Sequence, residues 1–300
     1  MFNDAPTRLQ TTAPIDWCAP WLAPYRRIGE PLATQLAAGV PMCTVLNAAL
    51  ELHRPAGGLP ARFVAQAALP AGQAYEAFIA RTGCVPTRDN AHDFFNALAW
   101  LVHPQLKARL NALQAAEIER DPAAALYRAS DGAPGGAVAD QVGGTRGGTA
   151  RGAVRGPVQD GLTLFDENAA WLQAPPVLTD ALQRRDWRAL FLTHRARWCD
   201  ATLVLFGHAL LEKLLQPRKA ITAHVWLVPW GVADAPAWLA STLTAQHLAR
   251  KPWWPLPVLG VPGWWNLNQQ AGFYDDGSVF RGAPVHLKTD SSCTKFNCAN

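Results

Sequence analysis

The apolar and polar positions along the chain alternate between helical and extended spacing, in short stretches separated by Pro and Gly. Residues 32–53 carry apolar positions at helical spacing, with a break at Gly39-Val40-Pro41. Before them, Pro6, Pro14, Pro20, Pro24 and Pro31 argue against a long helix and predict an irregular arm over residues 1–35, anchored by Trp17 and Trp21. A short strand is expected over Arg62–Ala68, then a one-sided helix over Tyr75–Thr82 that Gly83 ends. Asn90 has the chemistry of an N-cap for the next helix, which His103-Pro104 ends or kinks, and Gln105–Arg120 reads as an amphipathic helix with Leu106, Leu110 and Leu113 on one face.

Further along, Leu162-Thr-Leu-Phe predicts a short strand running into a polar turn at Asp166-Glu167-Asn168. Asp180–Trp198 reads as a helix with interleaved basic residues, and Leu203–Leu215 as a second, strongly apolar helix. Ile221–Val228 alternates as a strand does. Residues 229–282 are dense in Trp, Pro and Gly; seven of the thirteen tryptophans lie between Trp226 and Trp265, the composition of long loops that wrap a core or line a cleft. The expected fold is α+β: a mostly helical single domain with a small sheet and a long Trp/Pro-rich C-terminal wrap. Its N-terminal helical part covers 1–127 and its remainder 162–290, with a polar tail at 291–300. Residues 128–161 contain Gly-rich, Arg-punctuated low complexity that cannot bury enough apolar area to offset its ordering entropy, so a flexible loop is expected there.

Composition narrows the class. Charged residues make up 17% of the chain, a low share that fits a Trp-heavy interior. The net charge of +4 is mild and scattered, which argues against nucleic acid as a partner. No apolar stretch reaches the length of a membrane span, and no basic-then-apolar leader is visible at the start. Of the six cysteines, Cys18, Cys43, Cys84 and Cys199 read as reduced core thiols, while Cys293 and Cys298 lie in the polar tail; a cytoplasmic location is the expectation. No GxGxxG, GxxxxGK[ST] or GxSxG phrase occurs, which leaves the common nucleotide-binding and hydrolase-elbow motifs unsupported.

The candidate chemistry sits on the two apolar helices, because each carries a polar stripe whose burial is costly unless the groups are paired. On the first, His92, Asn96, Ala99 and His103 share one face, and His92, Asp93 and Asn96 are the candidate catalytic residues. For Asp93, capping of the helix is the simpler reading. On the second, His208 and Glu212 are four apart, the spacing that lets one helix face hold a divalent metal, with His224, Asp166 or Glu167 as further ligands; the competing reading is a half-buried ion pair. Arg88, Lys219 and Arg281 are candidates for binding a substrate's anionic groups, and equally suited to ordinary ion pairs.

Several phrases in order resemble a proteobacterial family known as domain of unknown function 3025. They are Pro86-Thr-Arg88, His92-Asp-Phe-Phe-Asn96-Ala-Leu-Ala-Trp-Leu, Leu164-Phe-Asp166-Glu167-Asn168, Phe206-Gly-His208-Ala-Leu-Leu-Glu212-Lys213, and Phe273-Tyr-Asp275-Asp276 leading to Val279-Phe-Arg281. The resemblance spans most of the chain, marks the Gly-rich stretch 130–150 as an insertion, and implies no activity. Two function classes follow from the residues. One is a metal-dependent hydrolase, with His92 as acid or base. The other is a non-catalytic protein with locally paired polar residues that docks a protein partner through its Trp-rich surface.

Overall fold

The computed structural model describes residues 13–53, 58–120 and 156–282. The N-terminal Pro-rich stretch departs from the expected irregular arm. After a single 3-10 turn at Pro20–Leu22, α1 runs over Ala23–Ala37, with Pro24 in its first turn, where the missing N–H is harmless, and Pro31 inside it. Burial of Tyr25, Leu32 and Leu36 and the hydrogen bond from Tyr25 Oη to the Leu205 carbonyl outweigh the backbone bond that Pro31 forfeits. Trp17 and Trp21 do anchor this region: Trp17 packs edge-on against Phe94, and Gly29 leaves the room its ring occupies.

Helix α2 spans Met42–Leu52, and β1 (Arg62–Ala65) gives way to a 3-10 turn at Gln66–Ala68. Helix α3 (Tyr75–Thr82) ends at Gly83, whose φ of 69° is the left-handed cap expected there. Strand β2 (Cys84–Thr87) pairs parallel with β1, and α4 spans Ala91–Val102, with the Asn90 side chain accepting from Asp93 N. Helix α5 follows over Pro104–Arg120.

The segment expected to start as a flexible loop and continue as a strand is instead α6, Pro157–Asn168; residues 128–155 of the expected loop lie outside the described residues, as do the polar tail and its two cysteines. Helix α6 buries Gln159, Leu162, Phe165 and Asn168, a three-residue spacing that the short run Leu162-Thr-Leu-Phe conceals from a strand-or-helix reading. It runs directly into β3 (Ala169–Gln173). The helix expected over 180–198 is broken. Helix α7 (Pro176–Arg184) stops at Arg185, which is left-handed at φ 52°; a π-helical turn at Ala189–Thr193 and a 3-10 stretch at Arg195–Asp200 follow. The second apolar helix is also divided. Thr202–Leu205 is strand β4, and only His208–Lys213 forms a helix, α8. Strand β5 occupies Thr222–Leu227, as the alternation predicts. Helices α9 (Ala235–Thr242) and α10 (Ala245–Ala249) and strand β6 (Trp254–Pro257) lie inside the Trp-rich segment.

The main sheet has the order β4-β3-β5-β6, with β3 parallel to β5 and the outer pairs antiparallel. Its side chains alternate between two buried faces. Ala170, Leu172, Leu205, Ala223 and Val225 join the core formed with α1, α2 and α4, whereas Ala169, Trp171, Val204 and Trp226 join a second core with α5, α6, α9 and α10. The fold is therefore α+β, mostly helical, with the sheet covered on both sides. Two of the expected core thiols, Cys18 and Cys199, are exposed, and Cys43 and Cys84 are only partly buried; all four are free. No helix among the described residues is long and apolar enough to cross a membrane.

Candidate metal centre

The site forms where α4, the end of α6 and the start of α8 meet. Asn90 caps the start of α4, and the Asp93 carboxylate ties Arg88 to it. Asn90 accepts from Asp93 N, and the Asp93 carboxylate accepts from Arg88 N at 2.6 Å, Arg88 Nε at 3.0 Å and Arg88 Nη2 at 2.9 Å. That clamp places His92 on the face of α4 that packs on α8. From the other side, the N–H groups of Phe206 and Gly207 both donate to the Ala169 carbonyl, at 2.9 and 2.8 Å, which draws the β4–α8 junction onto the α6–β3 junction. A Cβ on Gly207 would lie 2.4 Å from the Glu167 carbonyl oxygen, so glycine is what permits the approach that sets His208 beside Glu167.

Three donors converge there. His92 Nε2 and His208 Nε2 are 3.0 Å apart, His208 Nε2 lies 3.5 Å from Glu167 Oε2, and ligand atoms of the three residues all fall within 4.8 Å of one another. Donors around a tetrahedral cation at about 2.05 Å would be spaced about 3.3 Å apart, which the first two distances bracket. The outer contacts match as well. His92 Nδ1 meets Glu212 Oε2 at 2.9 Å, so the network puts its proton on Nδ1 and turns the Nε2 lone pair toward His208. His208 Nδ1 is buried without a well-formed hydrogen bond, and the Asp166 main chain lies beside that ring.

The two carboxylates at the end of α6 differ in how far their charge is compensated. Burial, then the neighbouring Asp166 carboxylate, push Glu167 up to about 7. Burial also works to raise Asp166, but the Lys107 ammonium and the nearby imidazoles outweigh it and hold that carboxyl below its ordinary range. Burial lowers His208 to about 3, keeping it neutral. Burial opposes the charge on His92 too, yet the Glu212 hydrogen bond and the surrounding carboxylates leave it raised. A divalent cation would relieve the crowding at Glu167, and the donor set of two imidazoles and one carboxylate suits zinc or ferrous iron.

The remaining candidates fall elsewhere. Glu212 holds the outer nitrogen of His92 rather than joining the converging donors, and Asp166 forms a half-buried ion pair with Lys107 at 2.5 Å. His224, on β5 opposite Ala169, packs on Trp253 and is not among the converging groups; burial, with Lys213 and Lys251, lowers it to about 4. Asn96 donates to Tyr75 Oη at 3.1 Å, and its own carbonyl is buried without a partner. Of the anion-binding candidates, Arg88 is engaged by Asp93, and Lys219 pairs with Asp276 at 3.1 Å over the Phe273 ring. Arg281 contributes its carbonyl to Trp187. Lys107 was missed by sequence reasoning. Its signal is its place on α5 beside Leu106 and Leu110, with Asn111 four residues on along the same buried face.

No curated protein and no solved structure matches the chain. A family model does match it, over residues 61–131 and 141–283, and its description is "Protein of unknown function (DUF3025)". That match covers most of the chain and takes in every segment that builds the candidate centre, so the chain belongs to the DUF3025 family.

Proposed function

We infer that the protein is a divalent-metal-dependent hydrolase whose metal is held by His92, His208 and Glu167. The observation that carries this reading is the convergence of His92 Nε2, His208 Nε2 and a Glu167 oxygen at the spacing of metal ligands, with Glu212 holding the far side of the His92 ring. A bound divalent cation supplies Lewis acidity and acidifies a water for attack on an ester or amide. The chain's own contributions are distinct. Glu212 Oε2 keeps the proton on His92 Nδ1 so that Nε2 remains a donor to the metal. Asp166, anchored by buried Lys107, fixes the end of α6 from which Glu167 projects. His92 and Glu167 keep part of their surface open, with side chains 17% and 20% exposed, while His208 is sealed below them at 5%. This supports ligands with one side accessible to substrate and water, as a catalytic rather than a closed site requires.

A second reading has its own support. Arg88–Asp93 and Lys107–Asp166 are complete pairs that need no ligand, as in a non-catalytic protein whose polar stripes are locally satisfied. The two readings separate in one experiment. Chelator-treated protein reloaded with zinc is assayed against a panel of carboxylic, phosphate and amide substrates, beside His92→Ala and Glu167→Ala. Zinc-dependent turnover lost in both variants supports the hydrolase. Stoichiometric zinc with no turnover on any member of the panel overturns the hydrolytic half of the reading.

A further inference from the structure

A concavity lies away from the histidines. It is a groove of about 550 Å³ between the Arg188–Arg195 segment and the turn at residues 268–275. That volume suits a small-molecule ligand. Arg188 and Arg195 bracket the π-helical turn at Ala189–Thr193, and turns of this type are rare overall but frequent at functional sites. The turn is held by Phe191, whose ring is stacked with Trp187, Trp198 and Tyr274 at centroid distances of 6.0, 6.1 and 5.3 Å. Gly260 leaves space for that ring; a Cβ there would come within 2.9 Å of it. The aromatic stack makes a rigid base for the segment that carries the two arginines.

Neither guanidinium is neutralised. Among the described residues Arg188 has no hydrogen bond or ion pair, and Arg195 donates only to the neutral Tyr274 hydroxyl, at 3.4 Å. Tyr274 in turn is fixed by donating to the Gly260 carbonyl at 2.9 Å. Asp275 lines the same groove without pairing with either arginine, and Gln269 and Gln270 add amide donors and acceptors. Two planar forks with free donors in a concave site match an oxyanion, since guanidinium bonds to carboxylate or phosphate are charge-assisted and directional.

We propose that this groove binds a small metabolite-sized anion, its carboxylate or phosphate held by Arg188 and Arg195 and its polar substituents by Gln269, Gln270 and Asp275. The site is independent of the metal reading. Isothermal titration of the full chain with inorganic phosphate and with succinate, against chloride at matched ionic strength, tests it and separates the two oxyanion chemistries. Saturable binding of either probe is expected, weakened about tenfold or more by Arg188→Ala and by Arg195→Ala. Arg188 is exposed, so its variant keeps the fold. No saturable binding of either probe overturns the proposal. So does binding that survives both arginine variants.

Discussion

Replacing Gly207 with alanine isolates the contact on which the metal centre depends. The backbone at Gly207 has φ −62° and ψ 120°, which alanine adopts freely, so conformation alone predicts a slight gain from a stiffer unfolded chain. Sterics predict the reverse. The added Cβ would sit 2.4 Å from the Glu167 oxygen and 2.5 Å from Asn168 N, against 3.4 Å or more for ordinary contact. The obstructing atoms are all backbone, so the β4–α8 and α6–β3 junctions must move apart by about 1 Å, since no side chain can rotate away. The expected destabilisation is about 3 kcal/mol, the upper end for overpacking, seen as a Tm lower by several degrees. The same displacement carries His208 away from Glu167, so zinc affinity by chelator competition is expected to fall at least about tenfold. A Gly207→Ala protein with wild-type Tm and wild-type zinc affinity would refute the argument that this approach builds the site.

Other perturbations test the remaining parts. Glu212→Gln keeps a hydrogen-bonding group near His92 Nδ1 but removes the charge; it is expected to weaken zinc binding by roughly 10- to 100-fold with little change in Tm, and equal affinities would remove Glu212 from the account. Lys107→Met leaves half-buried Asp166 without its cation and is expected to cost about 3 kcal/mol in urea unfolding, while Lys107→Met with Asp166→Leu recovers much of that loss; a double variant no better than the single would contradict the pairing. Burial lowers His103 from 6.5 to about 4. The unfolded chain therefore takes up that proton first as pH falls, and stability is lost between about pH 6.5 and pH 4, by about 3 kcal/mol, with no effect above that window. His103→Phe is expected to flatten this part of the stability–pH curve, and an unchanged slope would show that His103 is not buried neutral.

Much of the fold was legible where one periodicity ran unopposed. Helix α4 with its Asn90 cap, α3 with its Gly83 stop, and β5 with its alternation all form where local pattern and tertiary packing agree. The misreadings share a cause. Leu203-Val-Leu-Phe and Leu162-Thr-Leu-Phe are short, mostly apolar runs, and such runs fit a buried strand and a buried helix equally well; the first supplies most of β4 and the second lies within α6. In α1, tertiary burial of Tyr25 and Leu36 overrode the local effect of Pro31. The centre itself was half legible. His92, His208, Glu167 and Glu212 stood out as polar residues in apolar surroundings, but their grouping depends on the α4–α8 packing and on the close approach at Gly207, neither of which leaves a local pattern. Spacing within one helix suggested His208 with Glu212, whereas the structure joins each to His92, on another helix.

The most direct measurement is metal content by elemental mass spectrometry on untagged protein purified without chelator, wild type beside His208→Ala. Near-stoichiometric zinc or iron in the wild type, lost in the variant, is the result predicted here. A folded wild type that carries no metal, and takes up none when zinc, iron or manganese is supplied, would contradict the assignment of His92, Glu167 and His208 as a metal centre.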